Sequence, residues 1–87
     1  MPLFYFDIDD GERFTRDEQG LDCPHREAAR DYAIGVLPDL AREAMPDGDR
    51  HKIVVTVREE SGRPVFRAVL SIDAEWLDDG RQDRRPD

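Results

Sequence analysis

The stretch Ile53-Val54-Val55-Thr56-Val57-Arg58-Glu59-Glu60-Ser61-Gly62-Arg63-Pro64-Val65-Phe66-Arg67-Ala68-Val69-Leu70-Ser71-Ile72 decides the fold. Its first five residues are all β-branched. Such side chains lose χ1 freedom in a helix and pack well on a pleated surface, so a strand is the natural outcome. Glu59-Glu60-Ser61-Gly62 is a polar loop that holds the glycine a tight turn needs. In the return run Phe66, Ala68, Leu70 and Ile72 face one way, and Val65, Arg67, Val69 and Ser71 the other. Two such runs around a short loop predict an antiparallel hairpin.

Upstream of this hairpin the period changes. Ala29, Tyr32, Ala33, Val36, Leu37, Leu40, Ala41 and Ala44 recur at three- and four-residue spacing and draw one apolar stripe, with Arg26, Glu27, Arg30, Asp31, Asp39, Arg42 and Glu43 opposite it. Asp22 or Cys23 would precede the first turn, with Pro24 at a helix-start position, and Pro46-Asp47-Gly48 ends the segment. Pro38 removes a backbone donor and crowds the carbonyl of Ile34, while Gly35 loosens the same turn. The stripe nevertheless keeps its phase across the proline, which favours one kinked helix over two short ones.

At the start of the chain, Leu3-Phe4-Tyr5-Phe6-Asp7-Ile8 places Phe4, Phe6 and Ile8 on one face at period two. Asp9-Asp10-Gly11-Glu12 is a turn, Arg13-Phe14-Thr15-Arg16 a short return strand, and Asp17-Glu18-Gln19-Gly20 a second turn. The order is strand, strand, helix, strand, strand. One helix stripe and two hairpins with one oily face predict an α+β two-layer sandwich, a long helix on a four-stranded, mainly antiparallel sheet. The strand order stays open. The expected core is Phe6, Ile8, Tyr32, Val36, Leu40, Val55, Val57, Phe66, Leu70 and Ile72. Residues 1–77 read as one domain, and the charged run 78–87 as a disordered tail that is dispensable for stability.

Composition narrows the function. With 21 acids against 13 bases the chain carries a formal charge of −8, the opposite of a nucleic-acid-binding footprint. The acidic surface reads as a solubilising face, with mimicry of nucleic acid toward a basic partner as the sharper alternative. No apolar run approaches a spanning helix, and the acidic start is unlike a signal peptide. A single cysteine, Cys23, excludes an internal disulfide and suits a reducing, cytoplasmic setting.

Tyr5-Phe6-Asp7 with Gly11, Asp17-Glu18 with Gly20, Ala29-Arg30 leading to Ala33, Pro46-Asp47-Gly48, and Val55, Val57, Glu60, Gly62 and Arg63-Pro64-Val65 form an ordered set. In that set the chain resembles a family of small acidic bacterial proteins known only as a domain of unknown function. The resemblance covers about residues 3 to 73 and implies the same fold in a bacterial, intracellular setting. It brings no activity, cofactor or catalytic residue. Pro38 departs from the uninterrupted helix the resemblance implies.

Several constellations invite a chemical reading, and each has a plainer one. A hydrophobic strand running into Asp7-Ile8-Asp9 begins like the nucleophile loop of haloacid-dehalogenase-type phosphatases. Position 11 is Gly rather than Thr or Val, the chain is too short for the doubly wound sheet, and Lys52 is the sole lysine. As a calcium loop the same acids fail in register from either Asp7 or Asp9. They read instead as a solvated turn that guards a strand edge. Cys23, His25 and His51 are the only soft metal ligands, and the two histidines flank a helix about 31–32 Å long at 1.5 Å per residue. Cys23 and His25 lack a third group to orient them as a nucleophilic pair.

The sequence therefore predicts a non-enzymatic binding protein without cofactor or metal. One helix covers only one side of a sheet, so the other side, with Leu3, Tyr5, Val54, Val65, Arg67 and Val69, is the expected interface. The expected partner is a second copy, giving a homodimer, or another protein; neither nucleic acid nor a membrane is expected. A regulatory antitoxin-like partner protein is the alternative, since the hairpin followed by Glu27-Ala28-Ala29 is loosely similar to HicB-type antitoxin domains, though a DNA-binding tail is missing here. A small enzyme is the third reading.

Overall fold

The β-branched run and its alternating return form the hairpin that the sequence predicts, and the rest of the chain is arranged around it. The computed structural model describes residues 2–44 and 50–78. In chain order the elements are β1 (Leu3–Asp9), β2 (Phe14–Thr15), β3 (Leu21–Asp22), α1 (Arg26–Ala44), β4 (Arg50–Glu59) and β5 (Pro64–Asp73). The expectations for Pro46-Asp47-Gly48 and for the tail from residue 79 onward lie outside the described residues.

β4 and β5 are joined by residues 60–63, and the hydrogen bonds that close the turn enclose the first three of them. The Gly62 amide donates to the Glu59 carbonyl at 2.8 Å, and the Glu59 amide to the Arg63 carbonyl at 3.0 Å. Gly62 has φ 95°, the left-handed conformation that closes a three-residue hairpin and that a side chain would strain. Pairing runs from Arg50↔Asp73 to Val57↔Phe66 and then slips to Arg58↔Pro64, leaving Val65 as the extra residue of a bulge.

All pairings in the sheet are antiparallel, in the order β2-β1-β4-β5, with β3 also on β1. Among the described residues the sheet thus has five strands where the sequence predicts four. The return strand after the first turn shrinks to Phe14–Thr15, facing Asp9 and Ile8. The chain leaves β1's edge and comes back as β3, with Leu21 facing Phe4 and Asp22 facing Leu3. Two-residue strands have no hydrophobic period to read, which is why β3 is silent in the sequence.

α1 runs unbroken through Pro38, so the two-helix alternative does not apply. Its N-cap is His25 rather than Asp22 or Cys23: the Ala28 amide donates to His25 Nδ1 at 3.1 Å. Cys23 instead lies buried in the core. The deepest line of the helix is Ala29, Ala33, Leu37 and Ala41, spaced by four; three alanines in that line let the helix lie close over Ile53, Val55 and Val57, which are fully buried.

Tyr32, Val36 and Leu40 form the flank of the same stripe. This shifts the expected core. Phe6, Val55 and Val57 are buried as predicted, Ile8, Val36, Leu40, Phe66, Leu70 and Ile72 are half-buried against it, and Tyr32 is 47% exposed. Tyr32 meets Phe6 edge-on, with ring centroids 4.9 Å apart, so it closes the side of the core and leaves the rest of its ring in water.

Candidate functional site

β1 alternates between the helix side, where Phe4 and Phe6 are buried, and the opposite side, where Tyr5 and Asp7 stand. Tyr5 pairs with Arg58 and Asp7 with Thr56, so Asp7 and Arg58 are diagonal neighbours on the face away from the helix. Arg58 Nε donates to Asp7 Oδ2 at 2.7 Å and Nη2 to Oδ1 at 3.1 Å, a two-pronged ion pair that is buried on both sides. Nη2 also donates to the Asp17 carbonyl at 2.8 Å. The guanidinium carbon stands 5.0 Å from the centre of the Tyr5 ring.

Asp17 explains how β1 survives the gap between β2 and β3. The Phe6 amide, which neither short strand reaches, donates to Asp17 Oδ2 at 3.0 Å, and the Asp17 amide donates back to Asp7 Oδ1 at 2.9 Å. Oδ1 of Asp17 takes the amides of Gln19 and Gly20, which fixes the loop. Gly20 then passes so close that a Cβ there would stand 2.9 Å from Tyr5 Cε2, at a φ of +76°. Gly20→Ala is expected to cost about 1–3 kcal/mol through backbone strain and displacement of Tyr5. Thermal unfolding of the variant beside the parent checks this, and an unchanged midpoint would contradict it.

Burial pushes the Asp7 carboxyl up, but the bonds from Arg58 and the Asp17 amide outweigh it, and the net pKa lies below the ordinary value. In Asp17 burial is likewise outweighed, by the amides of Phe6, Gln19 and Gly20, and its pKa is also lowered. Arg58 is raised, chiefly by its hydrogen bond to Asp7. Each group is held in its charged form by partners that occupy its hydrogen-bonding atoms, an arrangement suited to locking a loop onto a strand.

Asp9 and Asp10 serve the turn. Asp9 Oδ1 accepts from the Gly11 amide at 2.9 Å, and Asp10 Oδ1 from Glu12 and Arg13 at 3.0 and 2.8 Å. These amide bonds lower the pKa of Asp10. Cys23, His25 and His51 do not meet: the cysteine is in the core with its thiol pKa raised by burial and then by Asp22, His25 caps the helix, and His51 faces Ile72 at the far end of β4. Among the described residues no group of three His, Cys, Asp or Glu side chains is placed to hold a metal ion.

The expected interface residues separate. Leu3 and Val54 are half-buried on the open face, and Tyr5 is taken up by Gly20 and Arg58. Val65 is a correction: as the bulge residue it packs against the core beside Phe66 instead of joining the open face. Arg67 and Val69 remain exposed on β5.

Sequence reasoning missed two features. The Asp7–Arg58 pair is signalled by one acid and one base stranded in otherwise apolar runs, but only the strand order brings them together. The other feature is the outer edge of β5. The Phe6 amide points away from β4, so by alternation Tyr5 and Asp7 bond to β4 at Arg58 and Thr56. Val57, Val55, Ile53 and His51 therefore bond to β5 at Phe66, Ala68, Leu70 and Ile72. The backbone groups of Arg67, Val69, Ser71 and Asp73 point outward, with no strand beyond them among the described residues.

Among the described residues no helix is long and apolar enough to cross a membrane. No curated protein and no solved structure matches the chain. Residues 3–71, which span β1 to all but the end of β5, match the family described as a domain of unknown function, DUF6894, and the chain belongs to that family.

Proposed function

We propose that the protein is a non-enzymatic interaction module that pairs with a second copy of itself along the outer edge of β5. The observation that carries this reading is the ten-residue β5, whose outward backbone groups have no partner strand among the described residues. Such an edge is a template for another strand. The residues beside it fit the same role. Phe66, Ala68, Leu70 and Ile72, on the helix side, are only half-buried, so α1 leaves β5 partly uncovered. Val69, on the open side, is 49% exposed. Pairing two β5 strands about a two-fold axis continues the sheet and sets the two helices side by side above it. The buried Asp7–Arg58 pair and the half-buried Asp17 support a non-catalytic role, since they spend their hydrogen bonds on one another and on backbone. A buried thiol in place of a disulfide suits the cytoplasm.

Sedimentation equilibrium at ~100 μM and ~0.15 M salt should return a species of twice the 10.1 kDa chain mass. Val69→Pro should return a single chain: it removes an outward donor from the middle of the edge, a place where proline leaves the inner ladder intact. A single chain for the parent protein would overturn the proposal.

A further inference from the structure

Beyond the strand edge lies an exposed tryptophan and, on the same strand, a small cavity with no assigned role. Trp76, the only tryptophan of the chain, is 63% exposed, three residues past the end of β5. At the other end of β5 a cavity of about 190 Å³ opens between the first turns of α1 and the bulge. Its floor is Val57, Val65 and Phe66, and its rim is Arg26, Glu27 and Arg30. An apolar floor under two guanidinium groups is the chemistry that takes an indole, which offers a flat apolar face to the floor and a π-system to the arginines.

The two ends of β5 lie nine residues apart in one chain, but an antiparallel two-fold pairing brings one end of each copy to the opposite end of the other. Charge selects the register. Arg67 is exposed and has no ion-pair partner among the described residues, and Asp73 is exposed at the far end of the same outward row. Centring the axis on Leu70 sets Arg67 opposite the second copy's Asp73 and Val69 opposite its Ser71, all of them outward-bonding positions. Asp73, already 3.1 Å from Arg50, then sits between two arginines. Centring the axis on Val69 would lose this match. With the favoured register Phe66 faces the second copy's Ala74. The second copy's Trp76 follows two residues on, past the end of its β5 and level with Pro64, next to the bulge residue Val65 of the cavity floor.

We infer that Trp76 of each copy seats in the cavity formed by Val57, Val65, Phe66, Arg26 and Arg30 of the other, and is the anchor of the dimer. This rests on the edge-to-edge pairing proposed above and adds to it the register and the residue that fixes it. Large aromatic side chains entering a preformed pocket are the contacts that most often dominate an interface.

The single tryptophan makes the test direct. Full-length protein is followed by tryptophan emission and by sedimentation over the same dilution series. The expected result is emission that moves to shorter wavelength as the dimer forms, and a Trp76→Ala variant that keeps the far-ultraviolet circular dichroism of the parent while its dimer dissociation constant rises at least ~10-fold. A dimer whose tryptophan emission does not change between dilute and concentrated solution would overturn the inference and leave the strand-edge pairing standing. So would a Trp76→Ala dimer of unchanged affinity. A protein that stays a single chain throughout would remove both.

Discussion

Arg58→Met is expected to lower stability by about 3–5 kcal/mol at neutral pH, because it leaves the Asp7 carboxylate buried without its counter-ion. The magnitude follows from the surroundings. The side chains of Arg58 and Asp7 are 10% and 6% exposed, so water cannot replace the lost guanidinium. The variant also removes the bond to the Asp17 carbonyl and the cation beside Tyr5, so the loop over β1 loosens as well. Adding Asp7→Asn to Arg58→Met should recover part of the loss, since it removes the stranded charge.

The pH dependence has a definite sign. Asp7 and Asp17 both titrate lower in the folded protein than in the unfolded chain, so their contribution is full above the ordinary carboxyl value near ~3.9 and is lost as pH falls through the lowered folded values. In Arg58→Met the Asp7 carboxyl loses the partner that lowers it. The stability gap between parent and variant should therefore be widest at neutral pH and close as the medium is acidified below about pH 4. Urea titrations at several pH values measure this. A neutral-pH cost within ~0.5 kcal/mol would place the pair among ordinary solvated surface pairs and contradict the account.

Phe6→Ala carries the second large effect. Phe6 is buried under the flank of α1, meets Tyr32 edge-on, and stands opposite Val57 at the centre of the sheet. Truncation is expected to cost about 3–5 kcal/mol, the range for a buried aromatic whose site cannot collapse. Phe66→Ala should cost clearly less in dilute solution, because Phe66 is only half-buried at the edge strand. The ranking, read by denaturant titration of both variants, separates the central position of β1 from the peripheral position of β5. An equal cost would mean that the helix covers β5 as fully as β4.

Much of this architecture is legible in the residues. The run from Ile53 to Ile72 admits only a hairpin, and the stripe from Ala29 to Ala41 only a helix, since each repeats one period over several turns or pleats. What the residues hide is non-local. That the helix rests on its Ala29–Ala33–Leu37–Ala41 line rather than on Tyr32 depends on how close the sheet comes, and the large side chains of the stripe give the wrong answer. β3 has two residues and no period. Asp17 looks like one more turn acid, and only the gap between β2 and β3 makes it the acceptor for Phe6. Val65 belongs to the open face by alternation, and the bulge moves it. The candidate interface was half visible: Arg67 and Val69 stand out as residues of an alternating strand, but their place on an outer edge follows only from the strand order.

The pairing of two copies along β5 is tested most directly by amide hydrogen exchange, read residue by residue in dilute and in concentrated solution. At ~10 μM the inward amides of Phe66, Ala68, Leu70 and Ile72 should be protected by β4, while those of Arg67, Val69, Ser71 and Asp73 exchange freely. At ~1 mM the outward set should become protected too, because those amides then donate to the second copy. Outward amides that exchange equally fast at both concentrations would contradict the pairing.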